Sequence, residues 1–474
     1  MIFNSLTFIT FFAIVLFLYY LPYSWNLKKL MLVFAGFLFY AAWNPPFVIL
    51  LLITIIFDYL LAKKMGRTDD PKRRKILLVI DLIGSLGLLG FFKYGNFFLA
   101  GFTAIMKSIG VIYQPPGLDI ILPVGISFYT FHSLSYTIDV YRGKMKPWGN
   151  FRDYALFVSF FPPLVAGPIV RAQDFLHQTT SPRRATSQQM GWGLSLLVIG
   201  LFQKIVLADG MMSIVANSVY TDWTKAGFAA SWLGTLAFSA QIFFDFAGYS
   251  LCAIGAALCL GFVLKDNFKH PYGAIGFSDF WRRWHISLST WLRDYLYIPL
   301  GGNRGSKSRT YINLMLTMLL GGLWHGASWR FVVWGGLHGS YLAVERFING
   351  LPFDKSLAKT LPVKIILGLL TYLLVCITWV MFRAGSFEAA SQMVKAMLLF
   401  KSPPVVMTLS GRDIVMVLGI NALMLIVHAL MRNTTLEHIA AKIPWFLKVS
   451  LLVLMLFAIL TAPGERNAFI YFQF

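Results

Sequence analysis

The sequence predicts an all-α polytopic membrane protein, and two observations support this fold class. Of the 474 residues, 57% are hydrophobic and only 13% are charged, whereas soluble domains carry about 25% charged residues. The apolar residues also form long runs, near the lower end of the roughly 17–25 residues that a membrane-spanning helix needs. We expect roughly ten to twelve transmembrane helices, with re-entrant or interfacial helices among them, in a single membrane domain of residues 1–474.

The first apolar run is expected to be a retained span. It is preceded by no basic segment and followed by no clear small-residue cleavage site, so it does not resemble a signal peptide. The other runs are expected to span as well, and some are short. Examples of these runs are 5–20, 47–62, 76–92, 194–207, 365–382, 414–430 and 446–460.

The net charge of +21 indicates cytoplasmic loops rather than a nucleic-acid-binding protein, because such loops of membrane proteins accumulate Lys and Arg. The densest basic cluster, residues 63–75, lies between two predicted spans, and Lys28 and Lys29 follow the first span. If both loops are cytoplasmic, the first span runs inward. The same charge attracts anionic lipid headgroups, so we expect membrane lipid, and not nucleic acid, as a partner.

Three regions can be distinguished along the chain. Residues 1–115 contain spans and the basic cluster, residues 116–345 contain most unusual polar residues, and residues 346–474 return to plain spans. In the middle region Pro and Gly interrupt the spans at 123–125, 161–163 and 166–168. Non-helical backbone at membrane depth survives only when it is buried in protein or lines a wet cavity. We therefore expect the middle region to surround a cavity and to form the catalytic core.

His325 is the strongest candidate for a functional residue. It lies in the segment 317–326, which is otherwise apolar, and an ionisable side chain at bilayer depth costs several kcal/mol. The alternative is a structural histidine bonded to a backbone carbonyl, but the neighbouring glycines favour function because they allow a substrate to approach closely. For His338, thirteen residues later, the structural interpretation is favoured, and glycines permit a break between the two histidines.

A second candidate segment covers residues 277–296, which are predicted to form one amphipathic interfacial helix. At about 100° per residue, Ser289 and Arg293 lie within about 20° of Arg282, and His285 lies within about 60°. Guanidinium groups suit phosphates, so this polar stripe could bind a phosphate-bearing donor. The alternative is that the arginines reach lipid headgroups, and for Arg283 the two interpretations are about equally supported.

Two further positions are left open by the residues alone. Asn303 lies in a glycine-rich basic loop, residues 299–307, which either forms an anion nest or is a plain cytoplasmic turn. Asp245 lies in an apolar stretch and either lines the cavity or pairs with an arginine.

Metal chemistry is not expected. The histidines show neither HExxH nor paired-carboxylate spacing, and Cys252, Cys259 and Cys376 match no metal or disulfide pattern. The chain also has no G-x-S-x-G elbow, which argues against a serine hydrolase. A neutral imidazole, together with arginines suited to binding phosphate, favours direct acyl transfer. In this reaction His325 takes a proton from an acceptor hydroxyl that attacks a thioester.

Several motifs resemble those of the membrane-bound O-acyltransferase family, in its bacterial AlgI-like branch, and the similarity extends over nearly the whole chain. The most specific motifs are FWRRWHISLSTWLRDY at 280–295, LGGNRG at 300–305 and GLWHG at 322–326. Further similar segments are 123–129, 160–162, 166–168, 244–250 and 471–474.

The resemblance implies a ring of helices around a central funnel or tunnel, with His325 as the catalytic histidine and His285 as a second important one. It implies no bound cofactor, but an acetyl-coenzyme A or acyl-carrier thioester as the donor, which we expect Arg282, Arg293, Ser289, Trp324, Asn303 and Asp245 to help bind. It further implies the bacterial inner membrane, a periplasmic or extracellular acetyltransferase partner, and polymer synthesis machinery.

The expected function is O-acetylation of an extracytoplasmic polysaccharide of the alginate, cellulose or peptidoglycan type. Two alternatives stay open at this point. One is D-alanyl or lipid acyl transfer on the same scaffold, as in the DltB branch. The other is a transporter or flippase, which would not need His325 as a base.

Overall fold

The computed structural model describes residues 1–113, 115–117, 120–352, 356, 360–399, 403, 406–462 and 469–470, and these contain helices and no strand. The predicted all-α class is therefore confirmed. The motif at 471–474 lies outside the described residues.

The first half of the chain forms six helices of 14–20 residues, then three short ones and a further long one. Ser5, Ser24 and Asp70 each cap a helix by accepting a backbone N–H with the side chain, as these residue types do at N-caps. The helices are α1 Leu6–Tyr20, α2 Trp25–Ala41, α3 Pro46–Met65, α4 Pro71–Leu89, α5 Gly95–Ser108, α6 Ile126–Tyr141, α7 Phe151–Ser159, α8 Phe161–Leu164, α9 Ala172–Phe175 and α10 Ser187–Leu201.

The second half contains most of the long helices. They are α11 Ser213–Thr221, α12 Phe228–Cys259, α13 Phe277–Trp281, α14 Ile286–Leu292, α15 Lys307–His325, α16 Trp329–Asn349, α17 Leu361–Arg383, α18 Phe387–Leu399, α19 Gly411–Leu430, α20 Leu436–Lys442 and α21 Trp445–Thr461. Wider π-helical turns occur at Gly90–Tyr94, Phe202–Met212 and Arg293–Tyr297.

Within the described residues, six helical stretches are long and apolar enough to cross a membrane. They are Pro46–Met65, Pro71–Ser108, Ser187–Thr221, Phe228–Cys259, Leu361–Arg383 and Gly411–Leu430. The shorter apolar helices Leu6–Tyr20 and Trp445–Thr461 coincide with the first and last predicted runs. The total of ten to twelve spans stays a prediction.

The chain divides into two compact units. The first comprises Met1–Leu194, Ala253–Lys265 and Gly326–Ser328, and the second comprises Ser195–Cys252, Asp266–His325 and Trp329–Phe474. The prediction that residues 1–474 act as one membrane domain, with boundaries near 115 and 345, stays a prediction.

The predicted helix breaks in the first unit are confirmed. Gly125, at φ 77°, precedes α6, and a Cβ there would lie 2.8 Å from the Leu164 carbonyl oxygen. Gly167 has a φ of 146° and follows α8. Because both positions have positive φ, they require the conformational freedom of glycine.

In the second unit, α15 and α16 pack backbone against backbone. A Cβ on Gly322 would overlap the Phe331 carbonyl oxygen, and one on Gly335 would overlap the Met318 carbonyl oxygen. Small residues allow such close helix contacts in membranes, where packing replaces the hydrophobic effect as the driving force. The close approach fixes where the last turn of α15 lies.

The predicted continuous helix over 277–296 is wrong. Helix α13 ends at Trp281, α14 begins at Ile286, and His285 between them adopts a left-handed φ of 43°. The cause is tertiary hydrogen bonding: Ile286 N–H donates to the Asn267 carbonyl over 2.8 Å, and Lys269 N–H donates to the Arg283 carbonyl over 2.9 Å. Backbone groups that one helix would have paired internally are bonded to residues 267–269, so the predicted polar stripe does not form.

Candidate functional site

His325 is the last residue of α15, and only 3% of it is exposed. Its ring lies among aromatic rings from three helices. The ring-centroid distances are 5.1 Å to Trp324, 5.0 Å to Trp334 of α16 and 5.4 Å to Phe382 of α17. All three contacts are steeply angled, between 71° and 84°. These edge-to-face contacts fix the plane of the imidazole.

His285 is the second histidine of this cluster and is fully buried. Its ring centroid lies 6.4 Å from that of His325 and 5.9 Å from that of Trp324. Phe246 of α12 packs edge-on against it at 4.6 Å. The structure therefore brings together the two histidines and Trp324, and their roles stay predictions.

Burial lowers the pKa of His285 to about 3, because a charged imidazole loses its hydration in an apolar interior. His285 lies between α13 and α14, outside the membrane-spanning stretches. At neutral pH its imidazole is uncharged and has one N–H donor and one acceptor nitrogen. This residue suits hydrogen bonding to a substrate better than charge neutralisation.

His338 has the structural environment that the sequence favoured. Its Nε2 lies 3.0 Å from the Thr378 hydroxyl oxygen, and the residue is fully buried in α16. The break that the glycines permit does occur between the two histidines, because α15 ends at His325 and α16 begins at Trp329. The ring of Trp334 contacts both imidazoles, at 5.0 Å from His325 and 4.8 Å from His338.

Arg282, Arg293 and Ser289 do not lie on one helix face with His285, whose ring is buried. The Arg282 side chain is 73% exposed and the Arg293 side chain is 60% exposed, with Arg293 bonded to Asp294 over 2.7 Å. The Ser289 hydroxyl donates to the Trp284 carbonyl over 3.1 Å. Both guanidiniums are thus accessible for an external anion.

Arg283 is buried in protein, so it does not reach lipid headgroups. It lies 3.0 Å from Asp279 and donates to the Arg432 carbonyl over 2.6 Å. Arg432 itself pairs with Asp279 at 2.6 Å. Burial raises the pKa of Asp279, but hydrogen bonds from Arg432 and the Ile275 N–H, with the charges of both arginines, lower it overall. This cluster ties α13 to the turn after α19.

The glycine-rich loop is held from within the second unit. The Asn303 carboxamide oxygen accepts from the Tyr297 hydroxyl and, over 3.2 Å, from Arg346. The Asn313 amide donates to the Gly302 carbonyl over 3.2 Å, and Gly301 and Gly302 have φ values of 115° and 54°. An anion nest in this loop stays a prediction.

Asp245 is buried and forms an ion pair, but with a lysine rather than the expected arginine. Its partner is Lys204, which also lies 2.9 Å from Asp209. Sequence reasoning missed Lys204 because it treated 194–207 as an apolar run. A single lysine inside such a run was the available signal, since a buried cation needs an acidic partner.

Glu345 was also missed. Its carboxylate accepts the Phe277 N–H and, over 3.0 Å, the Ser278 N–H at the start of α13. In the described part of the chain, no group of three or more His, Cys, Asp or Glu side chains is arranged to hold a metal ion.

The helical fold with its apolar stretches defines a multi-pass membrane protein. Residues 137–382, which include both histidines of the cluster, match the model of the membrane-bound O-acyltransferase family, MBOAT. The chain belongs to this family, and it is therefore an acyltransferase. Acetyltransferases of the family use acyl donors rather than bound cofactors.

The chain is similar to curated bacterial enzymes over most of its length. It is 42% identical over 406 residues to the probable alginate O-acetylase AlgI of Azotobacter vinelandii, covering 84% of this chain and 78% of that protein. It is 39% identical to the peptidoglycan O-acetyltransferase of Helicobacter pylori, covering 78% and 73%. The teichoic acid D-alanyltransferase of Streptococcus thermophilus is 28% identical, covering 52% and 63%.

Proposed function

We propose that this protein is a membrane O-acetyltransferase that takes an acetyl group from a cytoplasmic thioester and passes it across the membrane for O-acetylation of an extracytoplasmic polysaccharide. The observation that carries the proposal is the pair of buried imidazoles, His325 and His285, with ring centroids 6.4 Å apart. The relatives with the higher identities are named for alginate and peptidoglycan acetylation, which supports a polymer of the alginate, cellulose or peptidoglycan type.

His325 is the general base in this proposal. Its imidazole takes the proton of an acceptor hydroxyl while that oxygen attacks the thioester carbonyl carbon. The carbon–sulfur bond breaks, the thiolate leaves, and the proton held by His325 neutralises it. The aromatic rings of Trp324, Trp334 and Phe382 surround His325. They support this role because they keep bulk water away from the imidazole and hold it in one orientation.

His285 supplies a neutral hydrogen-bonding group beside the base. With a pKa of about 3, its imidazole stays uncharged at neutral pH and can donate its N–H to the thioester carbonyl oxygen as negative charge develops there. Trp324 lies against both imidazoles and is proposed to line the acyl position.

The donor is acetyl-coenzyme A or an acyl-carrier thioester, both of which carry phosphate. The exposed guanidiniums of Arg282 and Arg293 are proposed to bind it, because guanidiniums recognise phosphate well. Ser289 and Asn303 lie near these arginines in sequence and are proposed to assist. Asp245 was predicted to bind donor as well, but its buried ion pair with Lys204 supports an indirect role.

The proposed setting is the bacterial inner membrane. There the acetyl group would be received by a periplasmic or extracellular acetyltransferase partner that works with polymer synthesis machinery. The names of the relatives support a polysaccharide acceptor, since they are an alginate O-acetylase and a peptidoglycan O-acetyltransferase.

The deciding experiment measures transfer from labelled acetyl-coenzyme A by purified protein in nanodiscs. We expect His325→Ala to lower turnover by about 10²–10⁴-fold, the usual contribution of a general base. His132→Gln is the matched control, because His132 is equally buried but belongs to the first compact unit, and its turnover should equal that of the wild type.

Each other outcome has a defined meaning. Equal turnover in wild type and His325→Ala would contradict the assignment of the base. Wild-type turnover with an acetylated carrier protein alone would identify the carrier as donor, and turnover with D-alanyl thioester alone would favour the D-alanyl alternative. Substrate movement that persists in His325→Gln without any acyl transfer would favour a transporter.

A further inference from the structure

Phe469 and Ile470 are buried against a single turn of α12, although they are far from it in sequence. The Ile470 N–H donates to the Asp245 carboxylate over 2.7 Å. The Phe469 ring packs on Tyr249 at 4.7 Å and on Phe246 at 5.4 Å. One short segment of α12 therefore anchors both residues through a hydrogen bond and two ring contacts.

The charge on Asp245 is compensated inside the protein. Lys204 pairs with Asp245 and with Asp209, and all three side chains are at least nine-tenths buried. Lys204 and Asp209 both lie in the π-helical stretch Phe202–Met212, and such wide turns often occur at functional sites. Because a buried carboxylate needs a partner cation to remain charged, Lys204 keeps Asp245 a strong acceptor for the Ile470 N–H.

Phe246 connects this anchor to the candidate site. The Phe246 ring contacts the rings of both Phe469 and His285. The centroid of the His285 ring lies 4.6 Å away, at an interplanar angle of 79°. Phe268 packs on it as well, at 4.9 Å. A displacement of Phe469 would free Phe246 to turn, and the His285 imidazole would lose the ring that sets its plane.

We propose that Phe469 and Ile470, held by the Asp245–Lys204 pair, are positioning residues for His285 and act on it through Phe246. The proposal rests on the function proposed above in giving His285 a part in acyl transfer. Its physical basis is that a misplacement of about 1 Å at a reacting group costs on the order of 10²-fold in rate.

The first test measures the accessibility of His285 and requires no catalysis. Purified protein is treated with diethyl pyrocarbonate, and carbethoxylation of each histidine is followed by mass spectrometry. We expect His285 in Phe469→Ala to react on the order of ten-fold faster than in the wild type, because local opening exposes it. His338, which is equally buried but bonded to Thr378, should keep its wild-type rate, and Phe469→Leu should restore protection of His285.

The matched control is Phe175→Ala. Phe175 is as buried as Phe469 and also packs among aromatic rings, but in the first compact unit. It should change no rate at His285. An unchanged His285 rate in Phe469→Ala, or an equal increase in Phe175→Ala, would overturn the proposal even if the protein proved to have another activity.

The second test uses acetyl transfer. We expect Phe469→Ala to lower kcat by about 10–100-fold while the KM for the thioester stays within about two-fold, since donor binding is untouched. In a His285→Asn background the same change should have no further effect, because the two residues act through one contact chain. Additive losses in the double variant would contradict action through His285.

Discussion

At the scale of single residues, His285 combines two properties that rarely occur together. It is a fully buried ionisable group, and its backbone has a φ of 43°, a region in which non-glycine residues are uncommon. Burial keeps its pKa at about 3. The residue is therefore held neutral in a conformation that the surrounding hydrogen bonds of Asn267 enforce.

This lowered pKa predicts a pH dependence of stability. A histidine in an unfolded chain has a pKa near about 6.5, so below that pH the unfolded chain binds a proton that the folded chain does not. Stability is therefore lost as the pH falls from 6.5 towards 3, by about 2 kcal/mol between pH 7 and 5.

The check compares thermal unfolding midpoints of wild type and His285→Asn at pH 7 and pH 5 in the same detergent. Asparagine tolerates the left-handed backbone but does not titrate, so the variant should lose less stability on acidification. Equal losses in the two proteins would show that His285 is not the responsible group.

At the scale of elements, the α15–α16 pair is the support of His325. The Gly322 Cα faces the Phe331 carbonyl so closely that no Cβ fits. We expect Gly322→Ala to destabilise the protein by about 1–3 kcal/mol, as overpacked cores do, and to lower turnover because the helices separate just before His325.

Gly336→Ala is the control for this prediction. Its Cβ would meet only the flexible end of Leu319, at 3.4 Å, so both the unfolding midpoint and the turnover should stay close to wild type. If both alanine variants behaved alike, the backbone contact of α15 with α16 would not be what positions His325.

At the scale of the molecule, one face of the first compact unit concentrates positive charge. Arg74 donates to the carbonyls of Val140 and Tyr141, which places the basic loop after α3 beside residues 142–147. We call these two neighbouring segments the basic face, and their other basic residues are Lys63, Lys64, Arg67, Lys72, Arg73, Lys75, Arg142, Lys144 and Lys146. Because cytoplasmic loops accumulate such residues, we expect this face to be cytoplasmic.

Cysteine labelling in sealed cells tests this orientation. Asp69→Cys and Lys144→Cys should react with a membrane-impermeant maleimide only after lysis, whereas Ala42→Cys, one span away at the end of α2, should react in intact cells. The native Cys252, Cys259 and Cys376 are buried, so background labelling should be low. Labelling of Asp69→Cys in intact cells would reverse the predicted orientation.

The sequence allowed the fold class and the two histidines to be predicted, but not the local structure around them. Apolar runs report which segments can lie in a bilayer, and an isolated His325 is conspicuous there. The break at 282–285 depends on hydrogen bonds from residues 267–269, and helical periodicity contains no information about such distant partners. The Lys204–Asp245 pair was missed for the same reason, since its members are 41 residues apart in sequence. The chemical roles of the site residues stay proposals.

The left-handed backbone at His285 also bears on how this position can change through evolution. Glycine and asparagine satisfy its conformation without strain but bring no imidazole, whereas glutamine offers a hydrogen-bonding side chain that favours other backbone angles. Folding and catalysis therefore favour different sets of residue types at position 285. In a library of variants at 285, we expect the glycine and asparagine variants to accumulate in the membrane like the wild type but to transfer acyl groups more slowly, and the glutamine variant to accumulate poorly.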